Sequence, residues 1–390
     1  MKWLIVINKI YNFFKNIFII LLITLLTDIV VFFFIPSEIK ASLFVNRAHR
    51  IKSFYYHHDL RNKAYFYDNW GYERYKVFTN NLGFKDKSNR NVEFKKNNIL
   101  FIGDSFTEGV GLPFEDTYVG IIASKLKNVD TEVLNAGVQS YSPKIYYAKL
   151  YDIIYRKKYP ISHVVVMISG GDVYDDYYRY GEVNSENLLL HQDFQNKYVI
   201  NLINFIKGNT FTYQLITRIT PPKVIPELIK SFFQEKDEIK NYSTKENELK
   251  RIKDDEIMSF ELLKRSDYEY FYDDEKFLEW GKDAIDESSL YIKKIDSILK
   301  EKNIKLDILY SQSAPLVLIE PIEKNLNYLI NSFEKSLNNS SAKFHYIRDF
   351  TTIYSSRIEA YKELFYIGDV HLNKKGNTEI AKEIINKLNF

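Results

Sequence analysis

The sequence predicts an α/β fold: a doubly wound α/β/α sandwich on a five-stranded parallel sheet, with an N-terminal transmembrane helix and a helical insertion. Three observations predict it. From residue 97 onward, short continuous apolar runs alternate with amphipathic stretches, the pattern of parallel strands covered on both faces. Those runs end on small and polar residues. One much longer apolar stretch stands apart near the N-terminus, long enough to cross a hydrocarbon core as a helix.

That stretch, Ile17 to Ile35, holds a single charge, Asp28, and is closed by Pro36. A cleaved leader would have a shorter apolar region followed by a small-residue site, so residues 1–36 are expected to be a cytoplasmic tail and an uncleaved anchor in the inner (cell) membrane. Lys2, Lys9 and Lys15 before the helix favour the N-terminus inside and the bulk of the chain outside, against Lys40, Arg47, Arg50 and Lys52 after it. Asp28 is either near the outer interface or paired with another helix. Residues 37–95 are polar and aromatic with no clean period, and read as an irregular collar; His57 and His58 in it have no partners at metal-ligand spacing.

The domain proper is expected over 96–390. Its strands are NILFIG (98–103), TEVLNAG (131–137), HVVVMISGG (163–171), LDILYSQ (306–312) and FHYIRDF (344–350). FEDTYVGIIASKLKN and SPKIYYAKLYDIIYRKKY supply crossover helices, with further helices near 322–337 and after Asn373. Between the third and fourth strands lies the insertion, about 180–290. It has apolar pieces at 198–206 and 224–233, a capping-box pattern at Ser243–Glu246, and a helix over about 275–301.

Composition excludes some chemistry. The chain has 390 residues and a net charge of +3, with no basic block of the kind a nucleic-acid protein carries. Cysteine is absent, which removes disulfides, thiolate metal sites and a cysteine nucleophile. No cofactor or metal spacing stands out. The 31 Tyr and 28 Phe, set among many Lys, Asn and Ile, fit a biased genome as well as any function.

In an open α/β sheet, ligands bind outside the carboxyl ends of the strands. Those ends read Gly103-Asp104-Ser105, Asn135-Ala136-Gly137 and Ser169-Gly170-Gly171-Asp172, followed late in the chain by Gly368-Asp369-Val370-His371-Leu372-Asn373. A nucleophile, a base, an acid and close-lying backbone are what acyl transfer requires. Ser105 is the candidate nucleophile and needs a base. Among seven histidines, His371 has the best context, because Asp369 two residues earlier can reach the imidazole and fix its tautomer. His163 and His345 lie in strand patterns and read as structural.

These blocks, GDSFTEG, NAG, the G-G-D segment and D-x-H-x-N, resemble in order and spacing those of the SGNH (GDSL) hydrolase superfamily, over roughly 96–180 and 300–390. The resemblance implies a flavodoxin-like fold and serine esterase or acyltransferase activity. It implies Ser105 as nucleophile and first oxyanion donor, Gly137 as second donor, His371 as base, Asp369 as orienting acid, and Asp104 as a residue that shapes the turn. One departure stands out. Where the family has the asparagine of G-x-N-D, whose amide completes the oxyanion hole, this chain has Gly171. Loss of one such donor costs about 10²–10³ in rate. Another group substitutes, or the Gly171 backbone itself approaches, or the enzyme is slow or specialised.

Three functions stay open at this stage: a membrane-anchored esterase for ester-linked acyl groups, acetyl foremost, of envelope glycans or lipids; an O-acyltransferase of envelope polysaccharide working beside a membrane acyl-donor protein; and a non-catalytic binding module on the same fold.

Overall fold

In the computed structural model, the described residues are 2–35, 50–52, 58–70, 73–180, 265–337 and 340–390, with 202, 204–206, 209, 210 and 212 besides. The chain divides into two compact units, one of residues 1–51 with 196–239 and one of residues 52–195 with 240–390.

The first unit is built on α1 (Lys2–Phe34). Within it Tyr11–Phe34 has a mean hydropathy of 2.9 and is long and apolar enough to cross a membrane. Asp28 does not stand alone on this helix: both its carboxylate oxygens accept the Thr212 N–H at 3.1 Å. Its polar partner therefore comes from this same chain. Leu25, Asp28, Ile29 and Phe32, spaced for one helical face, are the positions covered there.

The second unit contains the sheet. In chain order its strands are β1 (Tyr65–Trp70), β2 (Glu73–Thr79), β3 (Lys85–Asp86), β4 (Asn97–Ile102), β5 (Thr131–Asn135), β6 (His163–Ile168), β7 (Lys305–Ser311) and β8 (Lys343–Ile347). They lie side by side as β8-β7-β6-β4-β5-β3-β2-β1. The five strands read from the sequence are all present and parallel. Numbered among themselves, they run 5-4-3-1-2, which is the flavodoxin-like order read from the far edge.

The sheet is nevertheless larger than expected. Residues 37–95 were expected to be an irregular collar, but β1, β2 and β3 extend the sheet antiparallel from β5, joined through the Lys85–Asn135 register. The polar-aromatic run hid them because β3 is only two residues long, β2 mixes charges into both faces, and β1 places Asp68 and Asn69 on opposite faces.

Alternating strand residues feed two cores. Leu100, Ile102, Val164, Val166 and Ile168 face one, with α4 (Pro143–Tyr151) and α6 (Lys282–Glu301) over them. Ile99, Phe101, Val165 and Met167 face the other, under α3 (Tyr118–Lys125) and α10 (Lys374–Leu388). Further helices are α2 (Ser105–Glu108), α5 (Gly170–Tyr178), α7 (Ala314–Leu318), α8 (Glu323–Ser336) and α9 (Arg357–Leu364), with single turns at Asp274–Lys276 and Asp349–Thr352. Of the expected insertion, the capping-box pattern and the apolar piece at 224–233 lie outside the described residues, as does most of 198–206. Its final part is ordered onto the domain: a 3-10 turn, Ser266–Phe271, leads through a π-turn, Phe277–Gly281, into α6.

Candidate active site

Strand β4 delivers Ser105 to the sheet edge. Gly103 is required at that point, because a Cβ there would fall 2.1 Å from Thr107 Oγ1 and 2.8 Å from the Met167 carbonyl. Asp104 then caps α2, its Oδ1 accepting the Phe106 N–H at 2.9 Å, and Ser105 opens the helix. The second Asp104 oxygen accepts from Ser169 Oγ at 3.0 Å. Asp104 therefore shapes the turn, in agreement with the sequence reading.

The partners of Ser105 come from far along the chain. The loop from Phe365 to Leu372 is closed by the Phe365–Leu372 bridge, by Tyr366 N–H donating to the His371 carbonyl (3.0 Å), and by a turn at Gly368 with φ +76°. Asn373 ends the loop by capping α10, its Oδ1 accepting the Gly376 N–H at 2.9 Å. This frame sets His371 Nε2 2.8 Å from Ser105 Oγ and Nδ1 2.5 Å from Asp369 Oδ1. Asp369 Oδ1 also accepts the His371 N–H at 2.9 Å, which fixes the carboxylate against its own loop. Burial acts to raise the Asp369 pKa, but the bonds and charge of His371 and the N–H of Val370 outweigh it and hold the acid below its ordinary value. Ser105 and His371 are almost closed off from solvent, at 9% and 8% exposure. The Phe106 ring lies 5.4 Å from the imidazole, centroid to centroid.

The three groups expected at the oxyanion hole fare differently. The Ser105 N–H, at the first position of α2, has no hydrogen-bond partner among the described residues. The same holds for the Gly171 N–H, in the first turn of α5. Gly137 departs from expectation: its N–H donates to Asn135 Oδ1 at 3.0 Å, two residues back, and is taken up there. Asn135 Nδ2 in turn donates to the Thr107 carbonyl at 2.7 Å, which ties this loop to α2. Gly137 is a glycine for packing, since a Cβ would come within 2.5 Å of the Glu108 nitrogen.

Behind Ser105 lies a buried polar chain that the sequence did not foreshadow. Tyr146 Oη donates to Asp172 Oδ2 at 2.6 Å, and Ser169 Oγ lies 2.9 Å from Asp172 Oδ1 as well as 3.0 Å from Asp104 Oδ2. Burial first, and the charge of Asp104 second, push the Asp172 carboxyl well above the ordinary carboxylate range. Residues before β4 also hold the site. Lys85, buried, donates from Nζ to the carbonyls of Gly109 (2.8 Å) and Leu112 (2.6 Å) just after α2. Lys149 on α4 bonds Asp59 Oδ1 at 2.9 Å and the Ala136 carbonyl at 3.0 Å. Burial pulls the Lys149 ammonium below the ordinary lysine range, with Asp59 opposing. A lone buried lysine in a strand or helix pattern is the only sequence signal for such ties.

His163 and His345 are structural, as read. Both Nε2 atoms sit on Asp307, at 2.8 and 2.9 Å, far from the Ser105 constellation in bonding terms. Among the described residues, no cluster of His, Asp and Glu has the form of a metal site.

The chain matches no family model and no curated protein. Solved structures similar to it include the psychrotrophic esterase EstA from Pseudoalteromonas sp., at 11% identity and a TM-score of 0.37, covering 75% of this chain and 97% of that one. They also include Axe2, an acetylxylan esterase from Geobacillus stearothermophilus, at 11% identity and a TM-score of 0.38 over 76% and 95%. A third is LAE5, an alpha/beta hydrolase enzyme from the metagenome of Lake Arreo, at 10% identity and a TM-score of 0.38 over 75% and 95%. Likeness this distant decides nothing about chemistry, and the geometry of the site has to carry the functional reading.

Proposed function

We propose that this chain is a membrane-anchored serine esterase of SGNH type acting on ester-linked acyl groups, acetyl foremost, of envelope glycans or lipids. The single observation that carries the reading is the unbroken relay Ser105 Oγ–His371 Nε2 at 2.8 Å and His371 Nδ1–Asp369 Oδ1 at 2.5 Å, drawn from ends of the chain 266 residues apart. A nucleophile, base and orienting acid in that order are the arrangement of a Ser-His-Asp triad.

The chemistry follows from the positions. Ser105 Oγ attacks the ester carbonyl carbon while its proton passes to His371 Nε2, and the carbonyl electron pair moves onto oxygen. The Ser105 and Gly171 N–H groups are free to bind that oxyanion. Asp369 holds the imidazole tautomer and offsets the positive charge that forms on it. As the tetrahedral intermediate collapses, His371 returns the proton to the leaving alcohol and an acyl-Ser105 ester remains. Water, deprotonated by His371, then hydrolyses it. A second reading rests on the same Ser105–His371–Asp369 relay: a glycan hydroxyl takes the place of water, and the enzyme is an O-acyltransferase supplied by a membrane acyl-donor protein.

In this reading α1 is the anchor, the N-terminal tail is cytoplasmic, and the catalytic unit lies outside the inner membrane beside its substrate. The hydrolytic reading is tested by p-nitrophenyl acetate turnover of the full-length protein in detergent. Ser105→Ala and His371→Ala should each reduce kcat by at least about 10³-fold. Turnover that survives both substitutions would sink it. Adding deacetylated envelope glycan separates esterase from transferase: acetylated glycan forming faster than free acetate identifies the transferase.

A further inference from the structure

The sequence left one position unexplained: Gly171, where the SGNH pattern places an asparagine. The structure explains the glycine. The 3-10 turn Ser266–Phe271, contributed by the end of the insertion, is laid on the start of α5. A Cβ on Gly170 would fall 2.8 Å from Tyr268 Cε1 and 2.9 Å from Phe271 Cε2. A Cβ on Gly171 would fall 3.2 Å from Asp267 Oδ2 and 3.5 Å from Tyr268 Oη. The space into which an asparagine side chain would extend from position 171 is thus bordered by a phenol hydroxyl.

That turn is firmly placed. Tyr270 Oη donates to the Gly170 carbonyl at 2.8 Å, Ile322 N–H donates to the Phe271 carbonyl at 2.8 Å, and Asn325 Nδ2 donates to the Tyr270 carbonyl at 3.1 Å. Tyr268 itself is 2% exposed. Burial, with Asp267 adding to it, raises its pKa, so the phenol keeps its proton and has one to donate. The buried Ser313 hydroxyl works against that rise without outweighing it. The carboxylate of Asp267 would oppose an oxyanion if it stood unpaired. Arg265 neutralises it, with Nη2 2.5 Å from Oδ2 and Nε 3.0 Å from Oδ1. The same guanidinium also feels the charge of Asp369.

We propose that the Tyr268 hydroxyl is the oxyanion donor that stands in for the missing asparagine, delivered to the Gly171 side of the site by the turn that closes the insertion. Tyr268 is then a catalytic residue, and it rests on Ser105 being the nucleophile. The hydroxyl gains most from the substrate oxygen once that oxygen carries charge, so its loss falls on kcat more than on KM.

The experiment uses the full-length protein in detergent, p-nitrophenyl acetate kinetics, a fluorophosphonate label and a thermal melt for each variant. Tyr268→Phe should melt with the wild type, keep its KM within about twofold and lose about 10²-fold in kcat. Gly171→Asn alone should bring no gain, because the space is taken. Combined with Tyr268→Ala it should recover at least about tenfold over Tyr268→Ala alone, since the amide then reaches the vacated volume. A Tyr268→Phe variant with wild-type kcat overturns the assignment, as does a double variant no faster than Tyr268→Ala. A wild type that takes no label on Ser105 is a different failure: it removes the nucleophile, and the donor role with it.

Discussion

Ser169 has one hydroxyl proton and two carboxylates within hydrogen-bond distance, Asp104 at 3.0 Å and Asp172 at 2.9 Å. Both bonds form only if one acid supplies a proton. Burial raises both carboxyls, Asp172 the further; each accepts a backbone N–H, and Asp104, which lies in the field of His371, is the better seat for the charge. Asp172, raised well above the ordinary range by burial and by Asp104, keeps the proton and donates it to Ser169 Oγ. Asp172→Asn therefore preserves every bond, with Nδ2 in place of the O–H, and should change stability by no more than about 1 kcal/mol below about pH 4, where the wild-type carboxyl is protonated folded and unfolded alike. The sign of its pH effect follows by linkage. A carboxyl whose folded pKa is raised stabilises the fold fully below its unfolded pKa, and that stability is lost as pH rises towards the folded value. Urea unfolding should show the wild type losing stability as pH rises above about 4, with the Asn variant flatter over the same range. A loss of several kcal/mol in Asp172→Asn at every pH would mean the carboxyl is ionised in the fold. At this scale the meeting of Ser105, His371 and Asp369 was legible, because D-x-H and G-D-S carry their own local geometry. The proton-sharing chain was not, because it joins side chains from two separate strand ends and from Tyr146 on α4.

The elements that the sequence concealed are those that support the site. Asp59 and Lys85 lie in a stretch without period, yet their side chains bond Lys149 and the loop after α2. Lys149 is fully buried and Asp59 nearly so, at 0% and 11% side-chain exposure. Replacing the lysine takes the buried ammonium from Asp59 and from the Ala136 carbonyl, so Lys149→Met should cost about 3–5 kcal/mol in urea unfolding. The loss should extend to catalysis, because Ala136 and the loop beside α2 lose the ammonium that holds them. A cost under about 1 kcal/mol would show that the 58–86 segment is not structurally tied to the domain. The turn at 266–271 was hidden for a related reason. It follows a long charged run, and neither Tyr268 nor Asp267 has a sequence neighbour that points to Gly171 almost a hundred residues away.

For the molecule as a whole, the parallel core was readable because fully buried strands must be continuous apolar runs, and the doubly wound order follows from alternating strands and crossover helices. The antiparallel extension was not, since half-polar edge strands and loops share a composition. The proposed anchor makes a prediction at this scale. Full-length protein expressed in bacteria should stay in the membrane pellet after alkaline carbonate washing, with Met1–Ile35 still present by intact mass; release into the wash, or loss of that segment, would contradict an uncleaved anchor. The central claim, that Ser105 is an activated nucleophile, is tested most directly by intact-mass and peptide mapping after treatment with a fluorophosphonate. The account predicts a single phosphonyl adduct on the peptide containing Ser105, formed in the wild type and absent from His371→Ala over the same time. An adduct on another residue, or none on a protein that melts cooperatively, would contradict it.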